Sequence, residues 1–128
     1  MRLWHERIIH DLPRQQLLGQ HRECCALRGL SWNKKHKTVN YVFEHSPYKL
    51  FLYHQKVMEE MKKRGYRADP LWEDPAYRGK NCPPYENIPS GETDSSNDHY
   101  IYPEHDNAYL SECLENLRDK GIDIQPTR

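Results

Sequence analysis

Apolar residues recur along this chain in three stripes of helical period, separated by stretches in which no period holds. Leu17, Leu18, His21, Cys24, Cys25 and Leu27 fall near one side of a 3.6-residue helix. Asp11 followed by Leu12-Pro13 reads as a cap with proline in the first turn, and Gly29 closes the segment. The spacing therefore predicts a first helix over 12–28. Ser46-Pro47 repeats the start signal, and Leu50, His54, Val57, Met58 and Met61 follow at helical spacing until Gly65. That predicts a second helix over 47–64, whose other face carries Lys49, Lys56, Lys62, Lys63 and Arg64. A last helix is predicted over 106–120, capped by Asp106, striped by Leu110, Cys113, Leu114 and Leu117, and ended by Gly121.

Between the first two helices, Val39 to Phe43 partly alternates, as a strand would. No partner run of that kind occurs elsewhere, so the segment is read as extended packing rather than sheet. Residues 68–104 hold six of the nine prolines and the polar run from Ser90 to Asp98. Such a composition buries little, so an irregular acidic loop is predicted, with Trp72, Tyr77 and Tyr85 packing back onto the helices. No internal repeat is present. The expected fold is mainly α: a compact three-helix single domain over 1–128 with long irregular Pro-rich loops.

Composition adds that the core is small, since hydrophobic residues make up 36% and the mean hydropathy is −1.08. Nine Tyr, three Trp and two Phe carry much of the apolar area, and Tyr and Trp keep a polar edge that suits binding surfaces as well as thin cores. The first 30 residues hold no apolar signal-peptide core, and the longest apolar run, Leu50 to Tyr53, is far too short to cross a bilayer. A cytoplasmic protein with reduced cysteines is expected, nucleoid-associated if bacterial, with no membrane partner.

Charge changes the picture more. The formal net charge is zero, but residues 1–67 carry 14 Lys/Arg against 6 Asp/Glu, a balance of +8, and residues 68–128 carry 5 against 13, a balance of −8. A positive half attracts polyanions, and neutralised phosphates release counterions. Among the few acids in that half, Glu23 follows directly on Arg22.

Two constellations carry chemistry. His21, Cys24 and Cys25 lie within one turn and are weak candidates for a metal. Zinc would need one or two further ligands, from His5, His10 or Cys82, and neither Cys-x-x-Cys nor His-Glu-x-x-His occurs. Buried cysteine as a small core residue is the commoner outcome, and no metal or cofactor is expected. A Gly-rich phosphate loop and Gly-x-Ser-x-Gly are absent.

The second constellation is the α-amine with Arg2, Arg22, Glu23, Arg28 and the run Lys34, Lys35, His36, Lys37. An α-amine titrates near pH ~8, so a useful fraction is an unprotonated nucleophile at neutral pH. Arg2 is too large for ordinary removal of the initiator, so Met1 is expected to supply that amine. An amine that attacks a sugar carbon forms a Schiff base, and a nearby carboxylate stabilises the cation and moves protons.

Leu12, Gln15, Leu17 and Arg22-Glu23, then the segment Val39 to Leu50, then Glu60 and Lys63-Arg64-Gly65-Tyr66 stand in an order and spacing that resembles a known family. Over residues 1–66 the chain is similar to the pyrimidine-dimer DNA glycosylases of the phage endonuclease V type. The resemblance implies a compact, mostly helical fold and a bifunctional glycosylase/abasic-site lyase that extrudes a base from damaged double-stranded DNA. It implies Met1 as the attacking amine, Glu23 as the carboxylate required for strand cleavage, and Arg22 and Arg2 as phosphate ligands. The family's second arginine falls on Ala26 in ungapped register, so Arg28 is taken as its substitute. The expected groove is lined by Arg2, Arg22, Arg28, Lys34, Lys35 and Lys37, in a monomer. The stretch 68–104 departs from the family pattern. Two other readings remain open: a nucleic-acid-binding module that keeps the scaffold without the chemistry, and a small His/Cys metal-binding protein.

Overall fold

The computed structural model describes residues 3–29, 45, 47–80, 83–84 and 101–124. Met1, Arg2, Lys34, Lys35, Lys37, Cys82, Tyr85, the Val39 to Phe43 segment and the polar run from Ser90 lie outside the described residues. The described residues include the three expected α-helices: α1 (Arg14–Arg28), α2 (Pro47–Lys63) and α3 (Asn107–Asp119). Among the described residues two 3-10 turns accompany them, Glu6–Asp11 before α1 and Pro70–Glu73 after α2, and no strand occurs. The fold is mainly α.

The entry to α1 differs from the sequence expectation. Asp11 does not cap it; Asp11 closes the 3-10 turn, and Pro13 takes the N-cap position with no side-chain cap. The turn is held by the Arg7 N–H donating to His5 Nδ1 at 3.1 Å, and it buries Ile8 and Ile9. Two adjacent isoleucines make no 3.6-residue stripe, which is why the turn left no periodic signal.

α2 follows its pattern, burying Leu50, Tyr53, His54, Val57, Met58 and Met61. It stops where Gly65 takes φ +86°, with the Tyr66 N–H bonded to Met61 O at 2.8 Å. α3 begins with the Tyr109 N–H bonded to Asp106 Oδ1 at 2.9 Å and buries Leu110, Cys113 and Leu117. One continuous core takes residues from every helix, from the first 3-10 turn and from Tyr102. Each fully buried leucine there contributes about 1.5–3 kcal/mol relative to exposure.

Arginines tie the ends of these elements together. Arg64 donates from Nη1 to Leu12 O at 2.7 Å and from Nη2 to His10 O at 3.0 Å, while its Nε bonds Glu60 at 2.8 Å. Arg78 donates to Arg28 O at 2.9 Å and Gly29 O at 3.2 Å, supplying donors to carbonyls that the end of α1 leaves unpaired. A Cβ at Gly29 would stand 2.8 Å from Arg78 O, so a close backbone approach makes glycine necessary there.

The acidic half joins the start of the chain. Glu6 Oε2 accepts the Ile101 N–H at 2.8 Å, and the Tyr109 hydroxyl donates to Leu3 O at 2.6 Å. Of the aromatic residues expected to fold back from 68–104, Trp72 and Tyr77 do so, meeting edge-to-face with ring centres 4.7 Å apart. No described helix is long and apolar enough to cross a membrane.

Candidate nucleic-acid interface

The outward side of α1 carries Arg14, Gln15, Leu18 and Arg22, which line an open groove of about 400 Å³. These positions recur at turn spacing, so one helix face presents both arginines. Arg22 is exposed, and the Arg14 guanidinium sits 5.5 Å from the centre of the Tyr66 ring.

Next along the helix from Arg22 is Glu23, half-buried and turned about 100° away from it. Its Oε2 accepts from Gln20 Nε2 at 3.2 Å. The other end of the same amide, Gln20 Oε1, accepts the Trp4 N–H at 2.7 Å and lies 2.9 Å from the Tyr53 hydroxyl. That hydroxyl is also 2.5 Å from Trp4 O, so one proton faces two acceptors. Leu3 and Trp4 are thus pinned from α2 and α3, and a single side chain separates the Trp4 backbone from the Glu23 carboxylate. Sequence reasoning missed Gln20; a lone polar residue on the inner side of a helix carries no periodic signal.

Arg28 is not part of the groove. It is only 2% exposed, and its terminal nitrogens are committed inward: Nη1 to His54 Nδ1 at 3.0 Å and Trp72 O at 2.8 Å, Nη2 to Asp74 O at 2.7 Å and Tyr77 O at 2.9 Å. The guanidinium carbon lies 5.4 Å from the Phe51 ring centre and 5.0 Å from that of Trp72. Its place at the last turn of α1, on the side facing α2, makes it a strut. Ala26 occupies the exposed position.

The expected His21, Cys24, Cys25 cluster is also rearranged. Cys24 is fully buried in the core, away from the other two, and His5 stacks on His105 with ring centres 5.5 Å apart. His10 lies 3.4 Å from Asp11. The group that does assemble is His21, Cys25 and His54, with ligand atoms all within 4.8 Å of one another. His54 had looked like one more member of the α2 stripe.

The donor set of this group fits a metal ion poorly. Guanidinium nitrogens only donate, so His54 Nδ1 is an acceptor, and the proton of the neutral ring sits on Nε2, 2.8 Å from His21 Nδ1. The lone pair a metal needs at Nε2 is therefore absent. Burial, with Arg28 and then His21 adding, pushes the His54 pKa down to about 2. Burial also lowers His21, helped by Arg22 and Arg28, and pushes the Cys25 thiol up to about 11. In the metal-free protein, neutral rings and a protonated thiol form a hydrogen-bonded seam between α1 and α2.

A small helical fold whose first helix carries an exposed arginine face and a half-buried carboxylate is what the chain presents. The family comparison makes this particular: the model described as pyrimidine dimer DNA glycosylase matches residues 1–74, more than half of the 128. The chain belongs to that family. The match extends past the expected 1–66 and includes the Pro70–Glu73 turn whose backbone Arg28 grips. No curated protein and no solved structure matches the chain. Membership identifies a DNA-repair protein of a glycosylase family that acts on damaged DNA.

Proposed function

We propose that this protein is a DNA glycosylase and abasic-site lyase working through an imine between the Met1 α-amine and C1′ of a damaged nucleotide, with Glu23 as acid/base. The observation that carries this is the bridge from Trp4 N through Gln20 to Glu23. Met1 stands three residues before Trp4, a reach of up to about 10 Å, comparable to the span of that bridge. The proposed mechanism requires that the amine use this reach to meet the carboxylate.

The amine lone pair forms a bond to C1′ as the bond to the base breaks and the base departs with a proton. The sugar ring opens to an iminium, and loss of a proton from C2′ expels the 3′ phosphate. Glu23 stabilises the cation and transfers protons. Arg22 holds phosphate, with Arg14 beside it as an addition from the shared groove, and Arg2, Lys34, Lys35 and Lys37 extend the basic surface. The substrate is damaged double-stranded DNA, bound by a monomer.

Borohydride reduces such an imine to a stable amine. Incubation with abasic duplex and borohydride is expected to yield a covalent protein–DNA adduct, and a tag fused ahead of Met1 to abolish it. Glu23→Gln is expected to slow strand cleavage by about 10²-fold or more. Salt-sensitive binding without an adduct, indifferent to the tag, would instead identify a binding module without chemistry.

A further inference from the structure

We propose that Gln20 is a positioning residue of this reaction, a neutral amide that holds the Glu23 carboxylate in register with the start of the chain. The inference rests on the glycosylase/lyase reading above. Gln20 is 1% exposed, and a buried amide is costly unless its polar ends are bonded. Its partners among the described residues include the Trp4 backbone, the Tyr53 hydroxyl on α2, and Glu23 on its own helix.

The orientation of the amide is decided by chemistry. The Trp4 N–H is a donor, so the carbonyl end must face it, and the NH₂ end must then face the carboxylate, which accepts. Rotating the amide would set donor against donor and oxygen against oxygen. Because it carries no charge, the amide donates to Glu23 without competing for its proton. A glutamate at this place would couple to Glu23: with one proton shared, its O–H replaces the amide donor, and with both ionised the bridge breaks. A methionine keeps length and bulk but removes the bridge.

The test compares wild type, Gln20→Met and Gln20→Glu in strand cleavage of abasic duplex across pH, with borohydride trapping of the wild type as control. Gln20→Met is expected to cleave roughly tenfold to hundredfold slower at saturating DNA, with KM within about twofold. Gln20→Glu is expected to stay within a few-fold of wild type at the acid end. It should then fall about tenfold behind as pH rises and the second carboxylate ionises. A role confined to stability would lower the melting temperature and leave the profiles parallel.

Wild-type cleavage by folded Gln20→Met, or a Gln20→Glu profile parallel to wild type, overturns the assignment. If Gln20→Met does not fold, the Gln20→Glu profile decides alone. Failure of the wild type itself to form an adduct sinks the parent reading and this one with it. A trapped wild type with unchanged variants sinks only the role of Gln20.

Discussion

Arg22 and Arg28 share one helix and one charge, yet their surroundings make them opposites. Arg22 projects from the exposed side of α1 into the groove, where water screens it. Arg28 lies between two aromatic rings and supplies donors to three carbonyls of the segment after α2. Removing it strands buried acceptors and leaves a cavity, so Arg28→Ala is expected to lower stability by about 3 kcal/mol or more in urea unfolding. Arg22→Ala is expected to leave the urea midpoint within about 0.5 kcal/mol and to weaken DNA binding. It should also reduce the slope of log affinity against log salt by about one. Equal loss of stability in both variants would contradict this division.

At the scale of elements, the helix ends distribute the strain. Gly65 and Gly121 stop α2 and α3 in the left-handed region, at φ +86° and +83°, and open space surrounds both. Gly29 ends α1 at φ −95° and is required for another reason, the Arg78 carbonyl 2.8 Å from where a Cβ would sit. Gly29→Ala must push backbone against backbone and is expected to cost about 1–3 kcal/mol, read as a lower thermal midpoint. An unchanged midpoint would mean that the Arg78 segment yields freely. Helix existence and stop positions were legible from period and glycine. The start of α1 was not, because Asp11-Leu12-Pro13 satisfies the capping rules equally well as the exit of a preceding 3-10 turn.

For the molecule as a whole, the two charge halves are interleaved rather than apposed as tail and body. Glu6 ties the segment at Ile101 to the first turn, and Tyr109 ties α3 to Leu3, so the acidic half braces the residues that lead to the proposed amine. The same packing buries histidines in neutral form: burial pushes His105 down to about 3 and His54 to about 2, and lowers His5 and His21. In the unfolded chain these rings titrate near pH 6.5, so between about 6.5 and about 3 the unfolded state binds more protons. Stability is therefore greatest above about pH 6.5 and falls on acidification, by up to about 1.4 kcal/mol per pH unit for each of His54 and His105. Glu6 acts the other way, since burial raises its pKa, and it offsets part of the loss as it takes up its proton. Thermal midpoints measured from pH 8 to pH 4 are expected to drop steadily below about 6.5. A flat curve would mean that the histidines are not held neutral.

The chain by itself determined a helical fold, the spans of α2 and α3 to within a residue or so, the charge asymmetry and the kinship with pyrimidine-dimer glycosylases. Those properties follow from spacing along the chain, which period, caps and motif order report directly. Tertiary structure alone decided what the inward-facing polar groups meet. Arg28 finds Trp72 and His54, His21 finds His54 rather than Cys24, and Gln20 finds both Trp4 and Glu23. A helical stripe tells which side of α1 faces inward, but not which residue of α2 or of the chain's start stands opposite. A buried polar group needs a partner wherever packing supplies one, and here packing supplied partners far away in sequence.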